Sequence, residues 1–265
     1  MIEQDYHKDT TRISKSGLDL IAKSPAHYWQ KYLNPNREPD SPTPALVIGA
    51  ATHMATLEPA IYPTAYATAP VVDRRTKDGK QAFADFELAN EGKTILTADQ
   101  GALVESIADA VRLHPNAGRL INPDDGAAEI PVLWIDQDTG APCKCRPDFA
   151  NTRLNALIDL KTTDDASPAA FARSVYNYRY HVQAAMYSDA WEQANNLPAP
   201  AFIFIAVEKT PPFAVAIYVL DDAAINLGRA TYKENLQTYM SCRELNHWPA
   251  YSENIQPLSL PSYAK

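Results

Sequence analysis

Residues 143–149 and 154–161 alternate on a two-residue rhythm, and that rhythm constrains the fold of this chain more than any other feature. Successive side chains of a strand point to opposite faces. The first segment is therefore predicted to carry Lys144, Arg146 and Asp148 on one face. In the second, Asp159 and Lys161 share a face, while Ile158 and Leu160 turn into apolar packing on the other. Ten residues separate Asp148 from Asp159. If the two strands pair, two carboxylates and an ammonium converge at one edge of a sheet.

The surrounding sequence predicts an α/β arrangement with a mixed central sheet flanked by helices. Ser14 or Ser16 caps a first helix, and Ser24-Pro25 opens a helical piece carrying His27, Tyr28, Trp29 and Tyr32. A proline-rich loop follows over 34–44, then a helix over 45–57. Residues 60–95 look irregular, with an exposed basic loop at 73–80, and a helix covers 98–113. A strand over 129–135 joins the 143–149 strand through a turn at 136–140. Helices are predicted at 168–174, 181–195 and 223–243, with a hairpin of 201–207 and 213–220 between the last two. At 265 residues, one domain over 1–265 is expected.

Hydrophobic residues at 46% and charged residues at 21% describe an ordinary globular chain. No run approaches eighteen apolar residues, and the start, Met-Ile-Glu-Gln-Asp, lacks the basic head and apolar stretch of a secretory signal. The expected setting is the cytoplasm, away from membranes. Cys143, Cys145 and Cys242 form no disulfide framework and are too few for a four-ligand cluster, so they are expected to be reduced, with Cys143 and Cys145 packed on the hidden face of their strand. A net charge of −8 weighs against a nucleic-acid partner, yet clustered carboxylates that bind divalent metal reverse the local sign.

Hydrolysis of a phosphodiester needs such a grouping. Magnesium takes oxygen ligands, two metals stabilise both the attacking and the leaving oxygen, and a nearby lysine orients the water. A short D-x-K pattern alone is weak evidence, because surface pairs produce it by chance. Gln183 heads the otherwise apolar stripe Met186, Tyr187, Ala190 and Trp191 on its helix. A buried amide there needs a partner, either a catalytic water or phosphate, or simply backbone. His53 read alone is a satisfied core histidine, and Glu129 an exposed residue opening a strand.

Taken together, several segments resemble a known family. They are Ile13-Ser14-Lys15-Ser16, Gly49-x-x-x-His53 with Leu57-Glu58-Pro59, Cys143-Lys144-Cys145-Arg146-Pro147-Asp148, Asp159-Leu160-Lys161-Thr162-Thr163 and Tyr178-Arg179-Tyr180-His181-Val182-Gln183. With the closing Trp248-Pro249 and Leu258-Ser259-Leu260-Pro261, their order and spacing resemble the C-terminal nuclease domain of the exonuclease VIII (RecE) family. The resemblance implies a PD-(D/E)XK restriction-endonuclease-like core. It also implies a magnesium-dependent exodeoxyribonuclease, with manganese able to substitute, that degrades linear duplex DNA 5′ to 3′ and processively, exposing single strands for recombination. By the same resemblance, Asp148, Asp159, the Leu160 carbonyl and His53 hold metal, and Lys161 is the catalytic lysine. Gln183 stands near the attacking water or scissile phosphate, Tyr187 supports it one turn on, and Glu129 joins the acidic group. Aspartate rather than glutamate at 159 departs from the broad pattern, changing reach and not charge.

A homo-oligomeric ring around DNA and a single-strand annealing partner are further implications, and a ring would let an acidic subunit present basic residues to its channel alone. The family's long N-terminal extension is missing here, so a self-contained nuclease or an excised domain is expected. Arg74, Arg75, Lys77 and Lys80 form either a solvated loop or an arch gripping the strand, while Lys144, Arg146, Arg173 and Arg179 stand ready to neutralise phosphate. The rivals are an endonuclease or single-strand trimming enzyme of the same fold, and a catalytically silent DNA-binding module. A small-molecule hydrolase lacks support, since the chain has no nucleophile elbow or phosphate-binding glycine loop.

Overall fold

The computed structural model of the protein describes residues 6, 8–38 and 41–260. Its helices begin where the sequence offers caps. Helix α1 (Lys15–Lys23) starts behind Ser14, whose hydroxyl accepts the Gly17 N–H. Helix α2 (Pro44–Leu57) follows Thr43 and places proline at its first position, where a missing N–H costs nothing. Thr76 caps α3 (Lys77–Ala89), so the basic run expected as a loop is a turn over 73–76 leading into a helix. Helix α4 (Ala98–Leu113) opens with a reciprocal box between Thr97 and Gln100. Helices α5 (Pro168–Asn177), α6 (Tyr180–Asn195) and α7 (Asp222–Leu245) complete the set that positions the site.

The strands that matter are β1 (Gly126–Ala128), β2 (Val132–Ile135), β3 (Pro142–Cys145), β4 (Phe149–Asn151), β5 (Ala156–Thr163), β6 (Ala201–Glu208) and β7 (Val215–Val219). Five of them form the central sheet in the order β1-β4-β5-β6-β7. Only the β5–β6 pair is parallel, with α5 and α6 making the crossover that a parallel pair requires. The sheet is therefore mixed, as expected. Strands β2 and β3 pair with each other as a separate antiparallel ribbon.

The predicted strand over 143–149 is broken in two. Strand β3 ends at Cys145 and β4 begins at Phe149, with Arg146, Pro147 and Asp148 in the gap. Proline has no N–H for a ladder, so a strand through residue 147 would be interrupted there. The strand predicted over 129–135 is likewise shorter. Glu129 lies between β1 and β2 with a left-handed φ of 56°, so it links strands and does not open one.

The apolar side chains of β5 divide by parity. Leu157 packs into the larger core with Val182 and Met186 of α6 and Leu236 of α7. Ile158 and Leu160 pack on the opposite face with Ile107 and Val111 of α4. Each such side chain stabilises the fold by about 1.5–3 kcal/mol when fully buried. Asp159 and Lys161 share the parity of Leu157 and so look toward α6. Helix α7 closes against α6 through Gly228, where a Cβ would come within 2.1 Å of the His181 carbonyl oxygen. The β2–β3 turn is tied to α7 by Asp136, which accepts from the Thr139 N–H and from Lys233 Nζ, the latter at 2.5 Å. Cys143, Cys145 and Cys242 are buried free thiols.

Candidate active site

Strand β4 is short, and its pairing with β5 stops at Phe149 opposite Ile158. Beyond that point the edge of β5 faces a gap. Asp148 bends its carboxylate into it, and Oδ2 accepts the Leu160 N–H at 2.8 Å in place of a main-chain partner. The N–H and C=O of a residue in an extended strand point to the same edge. The Leu160 carbonyl therefore faces the gap as well. Pro147, opposite in the interrupted register, has no hydrogen to offer it.

Two groups of side chains meet here. In the first, His53 Nδ1 of α2 lies 3.4 Å from Asp148 Oδ2. Ligand-capable atoms of His53, Glu129 and Asp148 lie within 4.8 Å of one another. The Glu129 N–H donates to the Asp148 carbonyl at 3.1 Å, which fixes the linking turn beside the site. In the second, the Gln183 amide donates from Nε2 to Asp159 Oδ1 at 2.5 Å, and Lys161 Nζ lies 2.6 Å from Asp159 Oδ2. Both oxygens of the buried Asp159 carboxylate are thus engaged, one by the Gln183 amide and one by the Lys161 ammonium. The partner of Gln183, left open by the sequence, is thus the Asp159 carboxylate.

Burial pushes the Asp159 carboxyl up to about 6, and Asp148 adds to the rise, against the pull of Lys161 and His53. Burial also opposes the charge on Lys161, but Asp159 and then Asp148 outweigh it and hold the ammonium above its ordinary range. Tyr187, four residues after Gln183, has its hydroxyl pushed well up by burial, then by Tyr6 and Cys145, with Asp159 and Asp148 contributing. A cavity of about 670 Å³ opens over the first group, lined by Tyr6, His53, Glu129, Arg146, Asp148 and Tyr187 among others. Asp159 and Gln183 are buried and do not line it.

The cationic residues expected on phosphate divide differently. Lys144 is buried in the wall of the same cavity, and its ammonium donates to the carbonyl oxygens of Tyr6 (2.5 Å) and Asp9 (2.6 Å), so it ties the start of the chain to β3. Alternation puts it on the cavity side with Arg146 and Asp148, but its donors are taken by backbone oxygens. Arg179 sits in a left-handed conformation before α6 and is held by Asp19 (2.8 Å) and Asn235 (2.7 Å), bracing α1 and α7. Arg146 lines the cavity, with Nε 2.5 Å from Glu129 Oε2. Arg75 pairs with Asp73, Arg74 lies over the Phe83 ring at 3.8 Å, and Lys77 begins α3. Two residues without an assigned role stand close by. Tyr180 has its ring 4.6 Å from Lys161 Nζ, and Lys15, paired with Asp19, bears electrostatically on Lys161. Tyr180 lies one helical turn before Gln183, a spacing that would have pointed to it.

A mixed sheet flanked by helices, with Asp148, Asp159 and Lys161 gathered at an interrupted strand edge, defines a domain of the PD-(D/E)XK nuclease type. The sequence matches the family model described as "PDDEXK-like domain of unknown function (DUF3799)" over residues 14–261, and the chain belongs to that family. Among solved structures, a candidate exonuclease from Eubacterium rectale aligns with a TM-score of 0.64 at 14% identity, over 93% of this chain and 85% of that one. This likeness shows the shared fold. SSO0001 aligns over 52% of this chain and 67% of its own at 17% identity, with a TM-score of 0.28 that carries no argument. No curated protein matches the sequence. Among the described residues, no helix is long and apolar enough to cross a membrane.

Proposed function

We propose that this protein is a divalent-metal-dependent exodeoxyribonuclease that hydrolyses linear duplex DNA from an end, 5′ to 3′ and processively, with magnesium as the working ion and manganese as a substitute. The observation that carries the reading is the pair of carboxylates around the open edge of β5, Asp148 bound to the Leu160 N–H and Asp159 paired with Lys161. The donors fit a cation. His53, Glu129 and Asp148 already converge, the buried Asp159 carboxylate feels the charge of Asp148, and the Leu160 carbonyl faces the same gap.

A divalent cation bound there supplies charge stabilisation at the phosphoryl group and a lower pKa for the attacking water. The chain's own residues do the rest. Gln183 holds Asp159 through Oδ1, while Lys161 takes Oδ2. Lys161, kept protonated by Asp159, offers hydrogen-bond donors to the incoming water and to a non-bridging phosphate oxygen. Arg146 provides a guanidinium fork for a neighbouring phosphate. The exonuclease name carried by the Eubacterium rectale neighbour and the resemblance to the exonuclease VIII family support attack from an end. The ring, the annealing partner, a cytoplasmic setting and a role in recombination extend the proposal by that resemblance.

The test compares 5′-labelled linear duplex, 3′-labelled linear duplex, closed circular duplex and single-stranded DNA, each with magnesium. Early release of the 5′ label from linear duplex, with the circle intact, is the expected pattern. Cutting of the circle would replace this reading with an endonuclease. No magnesium-dependent release from any substrate would leave a silent DNA-binding domain.

A further inference from the structure

Glu129 stands in two partnerships at once. It belongs to the cluster with His53 and Asp148, and its Oε2 receives Arg146 Nε at 2.5 Å. Its backbone is fixed by the left-handed turn and by the bond from its N–H to the Asp148 carbonyl. Arg146 follows the end of β3, lies 5.1 Å from the Tyr6 ring centre and lines the same cavity. A dication arriving at the cluster would repel a guanidinium on the same carboxylate, all the more because both side chains are largely buried. The guanidinium fork matches a phosphate as well as it matches a carboxylate.

We infer that the Glu129–Arg146 pair is a latch coupling divalent-cation binding to phosphate binding. It rests on the nuclease reading above. Without cation, Glu129 and Arg146 neutralise each other. With cation, Glu129 turns to the metal cluster, and the Arg146 fork exchanges that carboxylate for a backbone phosphate of the duplex. Each ligand thereby strengthens the other, and the coupling is the same in both directions.

The experiment uses the full chain and calcium, whose looser coordination favours binding without turnover. Calcium is titrated calorimetrically with and without a short duplex, and duplex binding is followed by anisotropy in EDTA and in calcium. Arg146→Gln should tighten calcium binding without DNA by about tenfold and lose most of the mutual strengthening. Glu129→Gln should tighten metal-free duplex binding, since the Glu129 carboxylate then no longer competes with phosphate for Arg146. Arg146→Lys, which keeps the charge without the fork, should leave calcium affinity near wild type but weaken duplex binding in calcium. A merely structural ion pair predicts a lower Tm in both glutamine variants with neither affinity rising, and that result would overturn the latch. Calcium binding that is absent from wild type, or indifferent to Asp148→Ala, would instead remove the cation site, and the latch with it.

Discussion

Asp148 does two jobs with one carboxylate. It replaces a missing main-chain partner for Leu160, and it faces His53 across 3.4 Å. Asp148→Ala should therefore lower cleavage by at least roughly 100-fold while costing only about 1 kcal/mol of stability. Lys161→Ala should lose cleavage to a similar extent and leave the circular dichroism spectrum unchanged. Single-turnover cleavage beside urea unfolding checks both, and substantial residual activity in either variant counts against the site. Asp159, Lys161 and the apolar pair Ile158 and Leu160 are legible in sequence because a strand's period of two sorts them without further information. The side that Lys144 takes is legible too, but its partners, the Tyr6 and Asp9 carbonyls, lie 138 and 135 residues away and have no local signature. Glu129 and Arg146 are legible singly, but their contact is not, since it depends on a left-handed turn that no residue type there announces.

Helices and strands hold this group through two junctions that can be probed separately. Gly228 lets α7 approach the His181 carbonyl, so Gly228→Ala must push α7 away from the start of α6, the helix that carries Gln183. We expect a loss of about 1–3 kcal/mol in urea unfolding. At the other junction, burial alone would favour a neutral Asp136, but Lys233 and the Thr139 donors outweigh it and hold the carboxyl below its ordinary range. A lowered folded-state pKa means that the contribution is complete above about pH 4 and fades as the pH falls through the lowered value. Asp136→Asn should thus cost about 1–3 kcal/mol near neutrality and progressively less in acid. Equal losses at both pH values would refute the account. Helix positions are readable from caps such as Ser14 and Thr97 and from prolines such as Pro44 and Pro168. The Asp136–Lys233 tie spans 97 residues and has no local signature.

Across the whole molecule, a net charge of −8 has to meet a polyanion. The carboxylates of the site repel DNA until a cation neutralises them. Chelation with EDTA should accordingly abolish duplex binding along with cleavage, and calcium should restore binding with little turnover. Gel shift and label release on the same samples separate the two. Full-strength duplex binding in EDTA would show that another surface carries the affinity. The wider architecture bears on this through Pro147. A ring nitrogen without a hydrogen ends the zipper between two neighbours three residues into an eight-residue partner, and the doorway to the chemistry is the remainder of that partner's length. Enlarging or sealing the doorway would need no change to any charged group, only a shift in where the backbone stops knitting.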